Sequence, residues 1–189
     1  MAYYSLVASL PHLKIGDEPP FSTEEFVEDC ARRIADRETQ ILRKTLLSAP
    51  DVAPCPLCRK LNDLETQIRN ASARFRGQKA GTDASGFLRP HEGFVGEIER
   101  AVEEAFSRED PVELEEGLDR LRWRLADEIV PLDDPFGFEK VLAYGIQLKI
   151  VERWHRMSES EGKRRLEAII DANAEERTQP DPAAAPANE

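Results

Sequence analysis

An all-α fold, an antiparallel bundle of about five or six helices, is what this sequence predicts, and three observations predict it. Apolar residues recur at intervals of three, four and seven through most of the chain, the spacing that lines one face of a helix. Charged residues make up 33% of the chain and aromatic residues only 7%, with few β-branched runs, a balance that suits amphipathic helices better than a sandwich or barrel. Prolines and glycines gather between the periodic stretches, where they punctuate helices. With 189 residues at 40% hydrophobic, residues 1–174 read as a single helical domain. It divides into halves of about 1–78 and 92–174 joined by a Gly- and Ser-rich loop.

The segment Asp133–Met157, DDPFGFEKVLAYGIQLKIVERWHRM, organises the rest. Pro135 suits the first turn of a helix, where its missing N–H costs nothing, and Asp134 is placed to accept from the free amides. From Phe138 onward Val141, Leu142, Tyr144, Ile146, Leu148, Ile150, Val151 and Trp154 wrap most of the circumference. That pattern predicts a helix buried on several sides, with Ile150 and Trp154 in the core.

Upstream, Ala2–Leu10 is an apolar stretch that fits either a short strand or a helical turn, and Pro11 ends it. Ser22 with Glu25 forms a capping box, Phe21 and Phe26 a hydrophobic staple, and one helix is expected from about Thr23 to Leu47. Three prolines in residues 48–56 break the chain before a helix carrying Leu57, Leu61, Leu64, Ile68, Ala71 and Phe75, which ends near Gly77. A loop rich in Gly, Ser and Asp leads to a helix from about Phe94 to Phe106. Asp110-Pro111 caps the next, with Leu114, Leu118, Leu121, Leu125 and Ile129 in register and Pro131 as its stop. Leu166, Ile169 and Ile170 mark a last amphipathic turn or two. The tail 175–189, with three prolines and no large apolar residue, is expected to be disordered.

The formal net charge of -11 argues against a nucleic-acid backbone or an anionic lipid surface as the main partner. No run of about 18 apolar residues is present, so direct membrane insertion is not expected, and no signal segment is legible. Three cysteines are too few for a disulfide framework and fit a reducing, cytoplasmic compartment. Cys55-Pro56-Leu57-Cys58 is the sharpest chemical motif. A Cys-x-x-Cys at a helix start lowers a thiol pKa in redox enzymes, yet no strand precedes this one. A zinc site at Cys55 and Cys58 needs further ligands from Cys30, His12, His91 or His155. Two reduced cysteines in a capping turn are the simpler alternative. The histidines show no metal-ligand spacing, and residues 77–86 lack the Gly-Lys-Ser/Thr ending of a phosphate loop. The acidic runs at 97–104 and 113–116 fit solvated helix faces, so no catalytic constellation and no cofactor is expected.

Tyr3-Tyr4-Ser5-Leu6-Val7-Ala8-Ser9-Leu10-Pro11, followed by Pro20-Phe21-Ser22, resembles an uncharacterised bacterial family encoded beside V-type ATPase subunits. Its members begin with Tyr-Tyr-x-Leu-Val and Ser-Leu-Pro, then enter a helix through Ser or Thr and acidic residues. The resemblance runs from Tyr3 to about Ile170. Pro135-Phe136-Gly137, Ala143-Tyr144 and Glu152-Arg153, with Gly162-Lys163 downstream, are similar to helices of the V/A-type ATPase central-stalk subunit called C in prokaryotes and d in eukaryotes. This chain is much shorter than that subunit. The resemblance implies a non-catalytic central-stalk adaptor that couples the shaft to the membrane ring. It would be cytoplasmic and peripheral to the inner membrane through its protein partners. The alternative reading is an assembly or regulatory factor of the same ATPase, and a Cys-x-x-Cys thiol or zinc protein comes after both.

Overall fold

The computed structural model describes residues 2–47 and 55–157. Among these the fold is all-helical: α1 (Tyr4–Ser9), α2 (Thr23–Ala31), α3 (Asp36–Leu47), α4 (Pro56–Ala80), α5 (Gly96–Phe106), α6 (Pro111–Glu128) and α7 (Phe138–Arg156). A 3-10 turn, Ser85–Phe87, lies in the loop after α4. The expected last turns at Leu166, Ile169 and Ile170 and the tail 175–189 lie outside the described residues.

α7 is the centre the sequence pointed to. Ten of its 19 residues are buried, including Val141, Leu142, Leu148 and Val151, and it packs on α2, α3 and α6. It starts later than expected, however. Asp134 and Pro135 belong to two successive turns, in which Asp134 N–H donates to Pro131 O and Gly137 N–H to Asp134 O, and Gly137 is the N-cap. Trp154 is also a correction: it is half-buried, and its indole N–H is spent on Asp119 at 2.8 Å. An indole that leaves water needs such an acceptor, and the buried Asp119 of α6 supplies it.

The single helix expected over 23–47 is two. The capping box forms as read, with Glu25 N donating to Ser22 Oγ at 3.1 Å and Ser22 N to Glu25 Oε2 at 2.8 Å. Phe21 stacks on Phe26 at 6.1 Å. The chain then turns at 32–35, where Arg33 and Ile34 N–H groups both reach Cys30 O. The Ala35 N–H opens a new helix by donating to the Tyr3 hydroxyl at 3.3 Å and the Glu38 carboxylate at 3.4 Å. Half of that cap comes from a residue more than thirty positions upstream, which no local spacing signals; the other half is the local Glu38. The N-terminal stretch resolves to helix, and the expected helix at Phe94 begins two residues later, leaving Phe94 71% exposed.

Two apolar clusters make the core. One joins Leu6, Phe26, Val27, Leu42 and Leu46 to Ala126, Ile129, Val141, Leu142 and Val151. The other joins Ile68 and Ala71 to Ile98, Val102, Phe106, Leu118 and Leu121. The clusters do not follow a division at residues 78–92, because α4 and α6 each serve both. Leu57 and Leu61 pack on the first cluster, and Leu64 and Phe75 on the second. On α6, Trp123 and Ala126 face the first, while Leu114 and Leu118 face the second. The two long helices therefore run antiparallel as common walls, and the Arg122–Glu65 ion pair at 3.0 Å crosses between them.

Candidate interaction surface

The N-terminal segment is held on both sides of its first aromatic pair. Tyr3 N–H donates to Phe136 O at 2.6 Å, and the buried Tyr3 ring carries its hydroxyl to Glu38 at the start of α3. Burial, then the hydrogen bond to Glu38, pushes the Tyr3 phenol above its ordinary value. Tyr4 consequently faces outward, 63% exposed, with its ring 4.8 Å from that of Phe136. Leu132 sits in the adjacent turn and is fully exposed. Residues 127–140 add five carboxylates against a single lysine, Lys140, which pairs with Asp127 at 3.4 Å. The outcome is an exposed aromatic contact between two segments more than a hundred residues apart, one of which is acidic and carries the exposed Leu132.

A second apolar surface lies on the loop that runs alongside the middle of α4. Two buried amides on successive turns, Gln67 and Asn70, each clamp a loop residue through both its peptide groups. Gln67 Nε2 donates to Val95 O at 2.9 Å while Val95 N donates to Gln67 Oε1 at 3.0 Å. Asn70 Nδ2 donates to Arg89 O at 2.7 Å and Arg89 N to Asn70 Oδ1 at 2.9 Å. The loop expected from its Gly and Ser content is thus ordered, and it presents Phe87 and Phe94, both more than two-thirds exposed. Sequence periodicity missed these amides because polar residues at core positions read as interruptions.

Between α6 and α7 lies an ionic node that sequence reading also missed. Asp119 is 1% exposed and accepts from Arg122 Nη1 at 2.9 Å, from Arg153 Nη2 and from the Trp154 indole. Burial alone would lower the Arg122 guanidinium pKa, but hydrogen bonds and charges from Glu65 and Asp119 outweigh it and raise it further. At the neighbouring end of α7, Glu152 receives the Thr23 amide at 2.9 Å and its hydroxyl, which secures the start of α2. Lys149 Nζ donates to Leu46 O at 2.6 Å, closing the end of α3. Burial lowers the Lys149 pKa.

The cysteines form the capping turn. Cys55 is the N-cap of α4 and its Sγ accepts from Cys58 N at 3.5 Å. Burial, reinforced by the Cys55 hydrogen bond, pushes the Cys58 thiol up to about 11, and burial pushes Cys30 up to about 12. This is opposite to the thiolate activation that redox chemistry needs. Among the described residues no group of three or more His, Cys, Asp or Glu is placed to hold a metal ion, and the three histidines are apart. Thiols raised in the folded chain stabilise it fully below their ordinary value of 9.0, and this contribution is lost as pH rises toward the folded values. Stability is expected to fall from about pH 9 upward, and Cys30 and Cys58 should resist iodoacetamide at about pH 8 until the chain unfolds. Rapid labelling of the native chain at either thiol contradicts this placement.

A groove of about 600 Å³ lies between Leu13–Ile15, α5 and α6. Its arginines are engaged by neighbouring carboxylates, Arg108 with Glu104 and Glu113, Arg120 with Glu116 and Arg124 with Glu97. It offers no concentrated charge to an ionic ligand.

The fold and its surfaces define a helical scaffold with two exposed apolar patches. A family model described as "Protein of unknown function (DUF2764)" matches residues 97–177, a stretch that contains α5 from its second residue, α6 and α7. It includes Pro135–Arg153 but not the Tyr3–Pro11 segment that meets Phe136. No curated protein and no solved structure matches the chain. No helix among the described residues is long and apolar enough to cross a membrane.

Proposed function

We propose that this chain is a non-catalytic adaptor of a bacterial V/A-type rotary ATPase, placed in the central stalk between the shaft and the membrane ring. The observation that carries the reading is the contact between Tyr3-Tyr4 and Phe136. Both segments bear the sequence resemblance to ATPase-associated proteins, and in the fold they meet, Tyr3 buried and Tyr4 at the surface against Phe136. A torque-bearing part needs rigid elements and broad surfaces. In support, α7 is gripped by three helices and tied at its C-terminal half to α2, α3 and α6 through Glu152, Lys149 and Arg153. Exposed apolar residues at Tyr4 and Leu132 and on the loop carrying Phe87 and Phe94 supply two contact regions.

Removing the chain from its bacterium and assaying membranes tests the reading. An adaptor's loss is expected to leave ATP hydrolysis by the catalytic head while ATP-driven ion pumping disappears. Fewer complexes, each still coupled, would instead identify an assembly factor. Normal amounts of complex with normal pumping would contradict both.

A further inference from the structure

We infer that the Tyr4–Leu132–Phe136 patch binds a basic protein segment that carries an apolar anchor. The inference deepens the adaptor reading by giving its partner a chemistry, and it rests on that reading only for the partner's identity. Tyr4 and Leu132 are 63% and 100% exposed, and Phe136 lies against Tyr4. The backbone beneath them is fixed by the Tyr3–Phe136 hydrogen bond and by the turns at Pro131–Asp134 and Asp134–Gly137. A preordered apolar surface loses little conformational freedom on binding. Its charge selects the partner. Asp133 and Asp134 follow Leu132 directly in the chain, the Asp134 and Glu139 carboxylates lie beside Gly137, and the only lysine of residues 127–140 is taken by Asp127. A cationic segment is drawn in and fixed in register by these carboxylates, an acidic one is repelled, and the exposed side chains supply the apolar contact. A second copy of this chain, also at -11, meets the same repulsion.

The test uses the full chain and two synthetic amphipathic helices as probes, one of leucine and lysine and one of leucine and glutamate, followed by fluorescence anisotropy. The leucine–lysine helix is expected to bind, and the double variant Leu132→Ser/Asp133→Asn to bind it about tenfold more weakly. A control of equal charge and similar apolar loss, Val112→Ser/Glu103→Gln on other exposed sites, is expected to change affinity less than about twofold. Raising ionic strength from about 0.01 M to about 0.15 M should weaken binding, because the Debye length shrinks from roughly 30 Å to roughly 8 Å. Equal loss in patch and control variants, or equal binding of the glutamate helix, overturns the inference. Dimerisation that Leu132→Ser abolishes also overturns it, assigning the patch to self-association. If ATPase subunits copurify as well with Leu132→Ser/Asp133→Asn as with wild type, the patch assignment falls and the adaptor reading stands. If they copurify with neither while the lysine helix still distinguishes the variants, the adaptor reading falls and the patch assignment stands.

Discussion

Asp119→Ala is expected to destabilise the chain by about 3 kcal/mol, measured as a shift in the urea midpoint at unchanged m-value. The reason is what it strands. Asp119 is 1% exposed and is the shared acceptor for Arg122, Arg153 and Trp154, so its removal leaves two guanidinium groups facing each other around an unpaired indole. Breaking a buried ion pair from one side costs about 3–5 kcal/mol, and the lower end applies because both arginine side chains keep some access to water, 25% and 40%. A loss below about 1 kcal/mol would show that water replaces the carboxylate and that the node does not hold α7 to α6.

Gly145→Val is expected to cost about 3 kcal/mol, at the upper end for overpacking. α7 approaches α2 and α3 so closely at this residue that a Cβ would overlap Leu46 Cδ1 and lie 3.0 Å from Phe26 Cε1. Both neighbours are themselves buried, at 3% and 2% exposure, which leaves them little room to retreat. Even Gly145→Ala, which gains about 1 kcal/mol of helix propensity, is expected to be net destabilising. Thermal melts of the two variants check the order, Val below Ala below wild type. A Gly145→Ala variant more stable than wild type would mean the three helices separate there easily.

The two residues with the largest expected effects mark where the sequence stops being legible. Helix identity, the Ser22 capping box, the Phe21–Phe26 staple and the several-sided burial of α7 are local patterns, and each appears as read. Gly145 and Asp119 look like a weak spot and a solvated charge when read locally. Their meaning comes from Leu46, Phe26, Arg153 and Trp154, which sit on other helices. The break between α2 and α3 has in part the same origin: no Gly or Pro announces it, and the Tyr3 hydroxyl joins the local Glu38 in capping it from a distant segment. Gln67 and Asn70 look like defects in an apolar face until the loop they clamp is in place. The surface patch was half-visible, since both segments that form it drew notice in the sequence, but nothing in either says that they touch. Cys55 and Cys58 illustrate the reverse case, where a recognisable motif proves to be a buried helix cap with a raised Cys58 thiol.

The proposed adaptor role is tested most directly by purifying V/A-type rotary ATPase in mild detergent from the cells that make this chain and measuring how many copies of the chain it carries. One copy for each complex, recovered together with catalytic, shaft and ring subunits, is the result predicted for a stalk adaptor. Intact, coupled ATPase that lacks the chain altogether would contradict it.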